Sequence, residues 1–99
     1  MYFVITAIDR PGATDVRTKT RPAHREYLRT PQPGVTYRLG GPLLESDGAT
    51  TIGSLLVIEA QNLTTAEQFS AGDPFRKAGL FVEVSVRPWD WTSGNPDKG

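Results

Sequence analysis

Ile52-Gly53-Ser54-Leu55-Leu56-Val57-Ile58-Glu59-Ala60 is the stretch that decides how this chain folds. Four apolar residues follow one another from Leu55 to Ile58. A strand with one wet face alternates apolar and polar side chains, because successive residues point to opposite faces. An unbroken apolar run therefore predicts a strand covered on both sides.

Working outward, Glu45-Ser46-Asp47-Gly48 reads as the turn that precedes this strand. Before it, Val35 to about Leu39 reads as a second strand, continued irregularly by Gly40-Gly41-Pro42-Leu43-Leu44. Paired glycines before a proline suggest a bulge or a close backbone approach. Tyr2 to Asp9 is β-branched and aromatic and ends at Asp9-Arg10-Pro11-Gly12, so it reads as the first strand. Residues 13–20 are polar and read as a short helical turn or a loop. A helix is expected from Thr20 or Arg21 through Leu28, with Pro22 in its first turn and Ala23, Tyr27 and Leu28 toward the sheet. On the other side, Thr64 with Glu67 three residues later predicts a capped helix. Gly72-Asp73-Pro74 ends it, and Phe75 to Ala78 make one more helical turn. Leu80 to about Trp89 is the last strand, and residues 92–99 form a polar tail expected to fray.

The order strand, helix, strand, strand, helix, strand predicts an α+β, ferredoxin-like βαββαβ fold with a four-stranded antiparallel sheet. Residues 1–91 make one domain and 92–99 a tail. Two helices cover one face of a sheet. The doubly apolar third strand, with Tyr2, Val4 and Ile8 on the second face of the first, predicts a homodimer packed through the sheet faces.

Composition narrows the function. The 99 residues carry 11 basic and 11 acidic side chains. A balanced charge argues against nucleic acid or an anionic membrane as partner. No run approaches a membrane span. With no cysteine, thiolate nucleophiles and thiolate zinc sites are excluded, and a cytoplasmic setting fits. One histidine leaves little to hold a metal, and no metal site is expected. Without a nucleotide fingerprint, no organic cofactor is expected.

His24 is the sole histidine, the side chain able to trade a proton near neutral pH. From the residues alone it reads equally as a general acid–base and as a capping histidine. Asp73 in its Gly-Asp-Pro turn could orient it, or be an ordinary turn aspartate. Ser54 could bind substrate or join them; it lacks the Gly-x-Ser-x-Gly context of a nucleophile. Arg17 and Arg21 offer guanidinium forks to an anion. Gly41 could allow ligand or backbone to come close. Phe75, Trp89 and Trp91 could line a cavity or pack, and Trp91 could sit at a dimer contact.

The chain resembles the YCII-related domain family of the dimeric α+β barrel superfamily over about residues 2–89. The resemblance rests on the apolar first strand ending in Asp9, then Arg17, Arg21-Pro22-Ala23-His24, Gly41-Pro42 and Gly53-Ser54. Asp73-Pro74-Phe75, Ala78-Gly79 and Val84-Ser85-Val86-Arg87-Pro88-Trp89 complete the ordered set. It implies two sheets packed face to face as a barrel. It also implies a pocket between helices and sheet in which His24 and Asp73 face each other. The family's activity is mostly unassigned, with dehydrohalogenase-like lyase chemistry among the proposals. Superfamily relatives include lactone isomerases and cofactor-free oxygenases of small ring compounds. Two departures are visible: Phe75 stands where a tyrosine is also familiar, and the tail is additional.

The expected function is thus a small-molecule enzyme using a His–Asp pair for proton transfer. Lyase, isomerase or dehydrohalogenase chemistry on a small cyclic or anionic organic compound would suit it. A non-catalytic ligand-binding or regulatory module of the same fold is the alternative, and a solid structural adaptor a third.

Overall fold

The computed structural model describes residues 1–98. Its elements run β1 (Tyr2–Asp9), α1 (Thr14–Arg29), β2 (Val35–Leu44), β3 (Thr51–Ala60), α2 (Leu63–Ala71), α3 (Pro74–Lys77) and β4 (Phe81–Trp89). The strands form one antiparallel sheet in the order β2-β3-β1-β4, with the helices on one face. This is the expected α+β, ferredoxin-like arrangement, with α3 as a third, one-turn helix.

Strand register places residues in rows across the helix-covered face. One row is Pro88, Phe3, Ile58 and Tyr37; the next is Val86, Ile5, Leu56 and Gly40; the third is Val84, Ala7, Ser54 and Pro42. Side-chain bulk falls steeply along these rows. The main core gathers at the bulky end, where Phe3, Ile58, Ala60, Ala66 and Phe69 are all buried. A second cluster of Ala13, Phe75 and Leu80 joins α1 to α3.

The first helix begins at Thr14, six residues before the expected start. Pro22 therefore lies inside it rather than in its first turn. Proline in a helix interior removes one backbone donor and crowds the preceding turn. Here Pro22 is exposed, and the turns before it are anchored by Ala13 and Val16 in the α3 cluster. The inward stripe runs Ala13, Val16, Arg17, Thr20, His24, Tyr27 and Leu28, leaving Ala23 exposed. Two polar residues, Arg17 and His24, thus occupy positions that helical periodicity would give to apolar side chains.

Two other local expectations are corrected. The N-cap of α2 is Asn62, not Thr64: Asn62 Oδ1 accepts from the Thr65 amide and the Thr65 hydroxyl, each at 2.9 Å. The bulge in β2 falls at Arg38 rather than at the glycine pair, since pairing skips from Tyr37 to Leu39. The described end of the chain packs back on the sheet. Trp91 is buried, edge-on to Tyr2 and stacked on Trp89, and Asp97 reaches Arg38 at 2.8 Å. An aromatic with a large apolar area gains more by covering the sheet's open face than the tail loses in chain entropy. Trp91 is therefore packed within its own chain.

The face turned away from the helices carries Tyr2, Val4, Thr6 and Ile8 of β1 with Leu55 and Val57 of β3. Among the described residues, no helix is long and apolar enough to cross a membrane.

Candidate active site

The third row of the sheet is built from small side chains, so α1 stands off from it while α2 lies down on its own half. The space left is a cavity of about 510 Å³. Arg17, Arg21, His24 and Arg25 of α1 form one wall, Gly40, Gly41 and Pro42 of β2 another, and Ser54 and Phe75 the inner end. A side chain at Gly40 would collide with Leu56, the Leu55 carbonyl and the Tyr37 hydroxyl, all within 2.8 Å; one at Gly41 would meet nothing. The close approach that called for glycine thus belongs to Gly40, and Gly41 simply lines the cavity.

His24 and Asp73 are brought together from 49 residues apart: Nδ1 of His24 lies 2.8 Å from Asp73 Oδ1, both residues buried. Asp73 is the N-cap of α3, and the same oxygen accepts from the Phe75 amide at 2.9 Å. A carboxylate oxygen can only accept, so the bond holds the imidazole proton on Nδ1 and leaves Nε2 as the free ring nitrogen. The His24 ring lies flat on Phe75, with centroids 4.0 Å apart.

Arg17 sits beside this pair, 5% exposed. Its Nε and Nη2 donate to the two oxygens of Asp9 at 2.7 and 2.8 Å, and Nη2 also donates to Ser54 Oγ at 3.0 Å. Its guanidinium carbon lies 4.7 Å from the Phe75 ring centre. Arg17 is thus a buried fixture rather than a free fork at the entrance. Ser54 is bonded to Arg17, with no bond to His24. Because its oxygen accepts from Arg17, its own proton remains available to a ligand. Phe75 lines the cavity chiefly as the platform shared by His24 and Arg17. Arg21 is exposed at the rim.

Sequence reasoning named Asp9 only as the end of a strand and passed over Arg25 and Tyr37. Asp9 shares the helix-covered face with Ala7 by the period of two, and Arg25 follows Arg21 by one helical turn. Both signals were legible once α1 is allowed to start at Thr14. Tyr37 lies against Gly40, and burial raises its phenol above the ordinary tyrosine value. Tyr27 braces Asp73 from the core side. Its hydroxyl donates to the Phe69 carbonyl at 2.9 Å, and burial together with the charge of Asp73 raises its pKa. Among the described residues, no three His, Asp or Glu side chains gather as a metal site.

The pattern of the YCII-related domain matches residues 1–90. The chain belongs to the YCII-related domain family. An uncharacterized protein of Haemophilus influenzae is 31% identical over 94 residues, covering 90% of this chain and 96% of the relative. Protein YciI of Escherichia coli is 30% identical over the same shares. Among solved structures, 5-chloro-2-hydroxyhydroquinone dehydrochlorinase (TftG) from Burkholderia phenoliruptrix AC1100, in complex with 2,5-dihydroxybenzoquinone, aligns with a TM-score of 0.78. It is 36% identical to this YCII-domain chain, and the match covers 91% of this chain and 94% of that one. A Shewanella loihica PV-4 protein at TM-score 0.52 and 18% identity shares the fold, covering 92% of this chain and 95% of its own.

Proposed function

We propose that this YCII-domain protein is an enzyme that moves protons on a small hydroxylated ring compound, with His24 as general acid–base and Asp73 holding it. The observation that carries the reading is the 2.8 Å Nδ1–Asp73 bond beside a cavity that His24 lines. It leaves Nε2 able to accept and return a proton, the requirement for general acid–base work. Nε2 takes a proton from an acidic ring hydroxyl and a proton is returned to a ring carbon, exchanging enol and keto forms. Where that carbon carries a halide, departure of the halide with loss of a second hydroxyl proton releases one HX and leaves a carbonyl on the ring. The atoms and electrons balance without an external oxidant. The likeness to a dehydrochlorinase of a chlorinated hydroxyhydroquinone supports this lyase form of the reaction. Ser54, held by Arg17 and Asp9, donates its hydroxyl proton to the substrate's oxygen.

The open sheet face supports a second part of the proposal, a homodimer joined through the sheets. Sedimentation that returns a monomer at micromolar concentration would remove it. The absence of cysteine supports a cytoplasmic setting.

The activity is tested by following halide release from chlorinated hydroxyhydroquinones. His24→Gln can still donate to Asp73, so the fold should hold while kcat falls by about 10²–10⁴-fold. Full turnover in that variant would sink the mechanism. Tight binding with no turnover of any such ring in the wild type would favour a binding module.

A further inference from the structure

The cavity's charges divide into two sets. Its lining contains Arg17, Arg21, Arg25 and His24 but no aspartate or glutamate. On the inner side the polar groups are already paired: Arg17 with Asp9 at 2.7 Å, and His24 Nδ1 with Asp73 at 2.8 Å. On the outer side they are not. Arg21 and Arg25 make no ion pair and no side-chain hydrogen bond among the described residues. They lie at i and i+4 on α1, which puts them side by side on one face, about 6 Å apart. His24 falls between them in sequence and lines the same cavity.

We infer that Arg21 and Arg25 form an anion clamp at the cavity mouth, which selects ring substrates bearing a carboxylate or a second acidic oxygen away from the reacting hydroxyl. Two adjacent guanidiniums can grip one carboxylate from both sides, each offering a planar set of donors. The buried arginine is less suited to this purpose, because Asp9 already matches its charge and its Nε and Nη2 donors go to Asp9 and Ser54. Tyr37, a phenol and so neutral at pH 7, adds a donor on the opposite wall. A substrate with one oxygen at His24 and an anionic group at the mouth would meet both unpaired arginines of the lining. The net positive mouth also draws such anions in from solution, an effect that weakens as salt is raised.

This inference rests on the reading of His24 as the reacting end, but it is tested by binding alone. The dissociation constants of 2,5-dihydroxybenzoate and of hydroquinone are measured by titration calorimetry at low and high salt. The wild type should prefer the benzoate by about ten-fold or more, since hydrogen bonds to charged groups are the stronger class. Arg21→Gln/Arg25→Gln should bring the two constants to within about two-fold while the far-ultraviolet circular dichroism is unchanged. Arg25→Lys should retain part of the preference, and His24→Gln should retain all of it. An unchanged preference in the double variant, or no preference in the wild type, would overturn the clamp. Retained turnover in His24→Gln with the preference intact would instead overturn the catalytic reading and leave the clamp standing.

Discussion

The two halves of the helix-covered sheet face use the same backbone to opposite ends. Under α2, the row of Phe3 and Ile58 meets Ala66 and Phe69, and the space is filled. Under α1, the row of Ala7, Ser54 and Pro42 leaves about 510 Å³ open, and the helix above turns Arg17 and His24 inward. One half makes the fold stable; the other, resting on α3 through Phe75 and Leu80, leaves a cavity. A small domain has little burial to spare, so a cavity in one half requires dense packing in the other.

That contrast can be broken by substitution across it. Phe3→Ala in the filled half should destabilise the protein by about 3–5 kcal/mol in urea unfolding, the range for a fully buried aromatic. Ser54→Ala in the open half should cost only about 1 kcal/mol, since one hydrogen bond is lost and no cavity is created. Its turnover should suffer more than its stability. Equal losses for the two variants would mean that the open half is as much core as the filled one.

The two adjacent glycines sharpen the comparison within a single strand. Gly40→Ala forces Leu56 and the Tyr37 hydroxyl aside at 2.7 and 2.8 Å and narrows the cavity, whereas Gly41→Ala enters open space. Gly40→Ala should raise KM by about ten-fold and destabilise by about 1–3 kcal/mol, as overpacking does. Gly41→Ala should leave both within about two-fold and 0.5 kcal/mol of the wild type. The reverse ranking would show that the glycine pair faces the other way.

The smallest effect is expected in acid, at the hairpin tip beside the open half. Asp47 accepts from the Thr50 hydroxyl at 2.6 Å and from the Thr50 and Ala49 amides at 2.9 Å each, which holds its carboxyl at about 2. Its folded-state value lies below the ordinary carboxylate value of about 3.9. Its contribution is therefore full above pH 4 and is lost as pH falls through about 2. Amide exchange at Ala49 and Thr50 should accelerate over that window, with Phe3 and Ile58 unaffected. In Asp47→Asn the exchange should be faster at neutral pH and nearly flat below pH 4. A wild-type hairpin that ignores acid would show that these bonds do not hold the loop.

Much of the architecture was legible from residue patterns. The period of two in Tyr2 to Asp9, the turn at Asp47-Gly48 and the strand–helix order lead directly to the four-stranded sheet. Local chemistry was less legible where two signals competed. Pro22 looked like a helix start because proline suits a first turn, yet burial of Val16 and Ala13 against Phe75 carries the helix back to Thr14. Thr64 looked like a cap, but Asn62 reached the amide first. Trp91 was open between cavity lining, packing and a dimer contact, and its ring docks on Tyr2 of its own chain.

The residue types able to do chemistry were already fixed by the chain: one histidine, no cysteine, a balanced charge and an aspartate in a proline turn. Whether His24 and Asp73 meet could not follow from local pattern, because 49 residues separate them and contact depends on where α1 and α3 land. The fate of each arginine is equally non-local. Arg17, Arg21 and Arg25 are chemically identical and evenly spaced, yet only Arg17 finds Asp9 and Ser54 beneath it. Packing alone separated the arginine that is paired beneath the helix from the two that have no partner among the described residues.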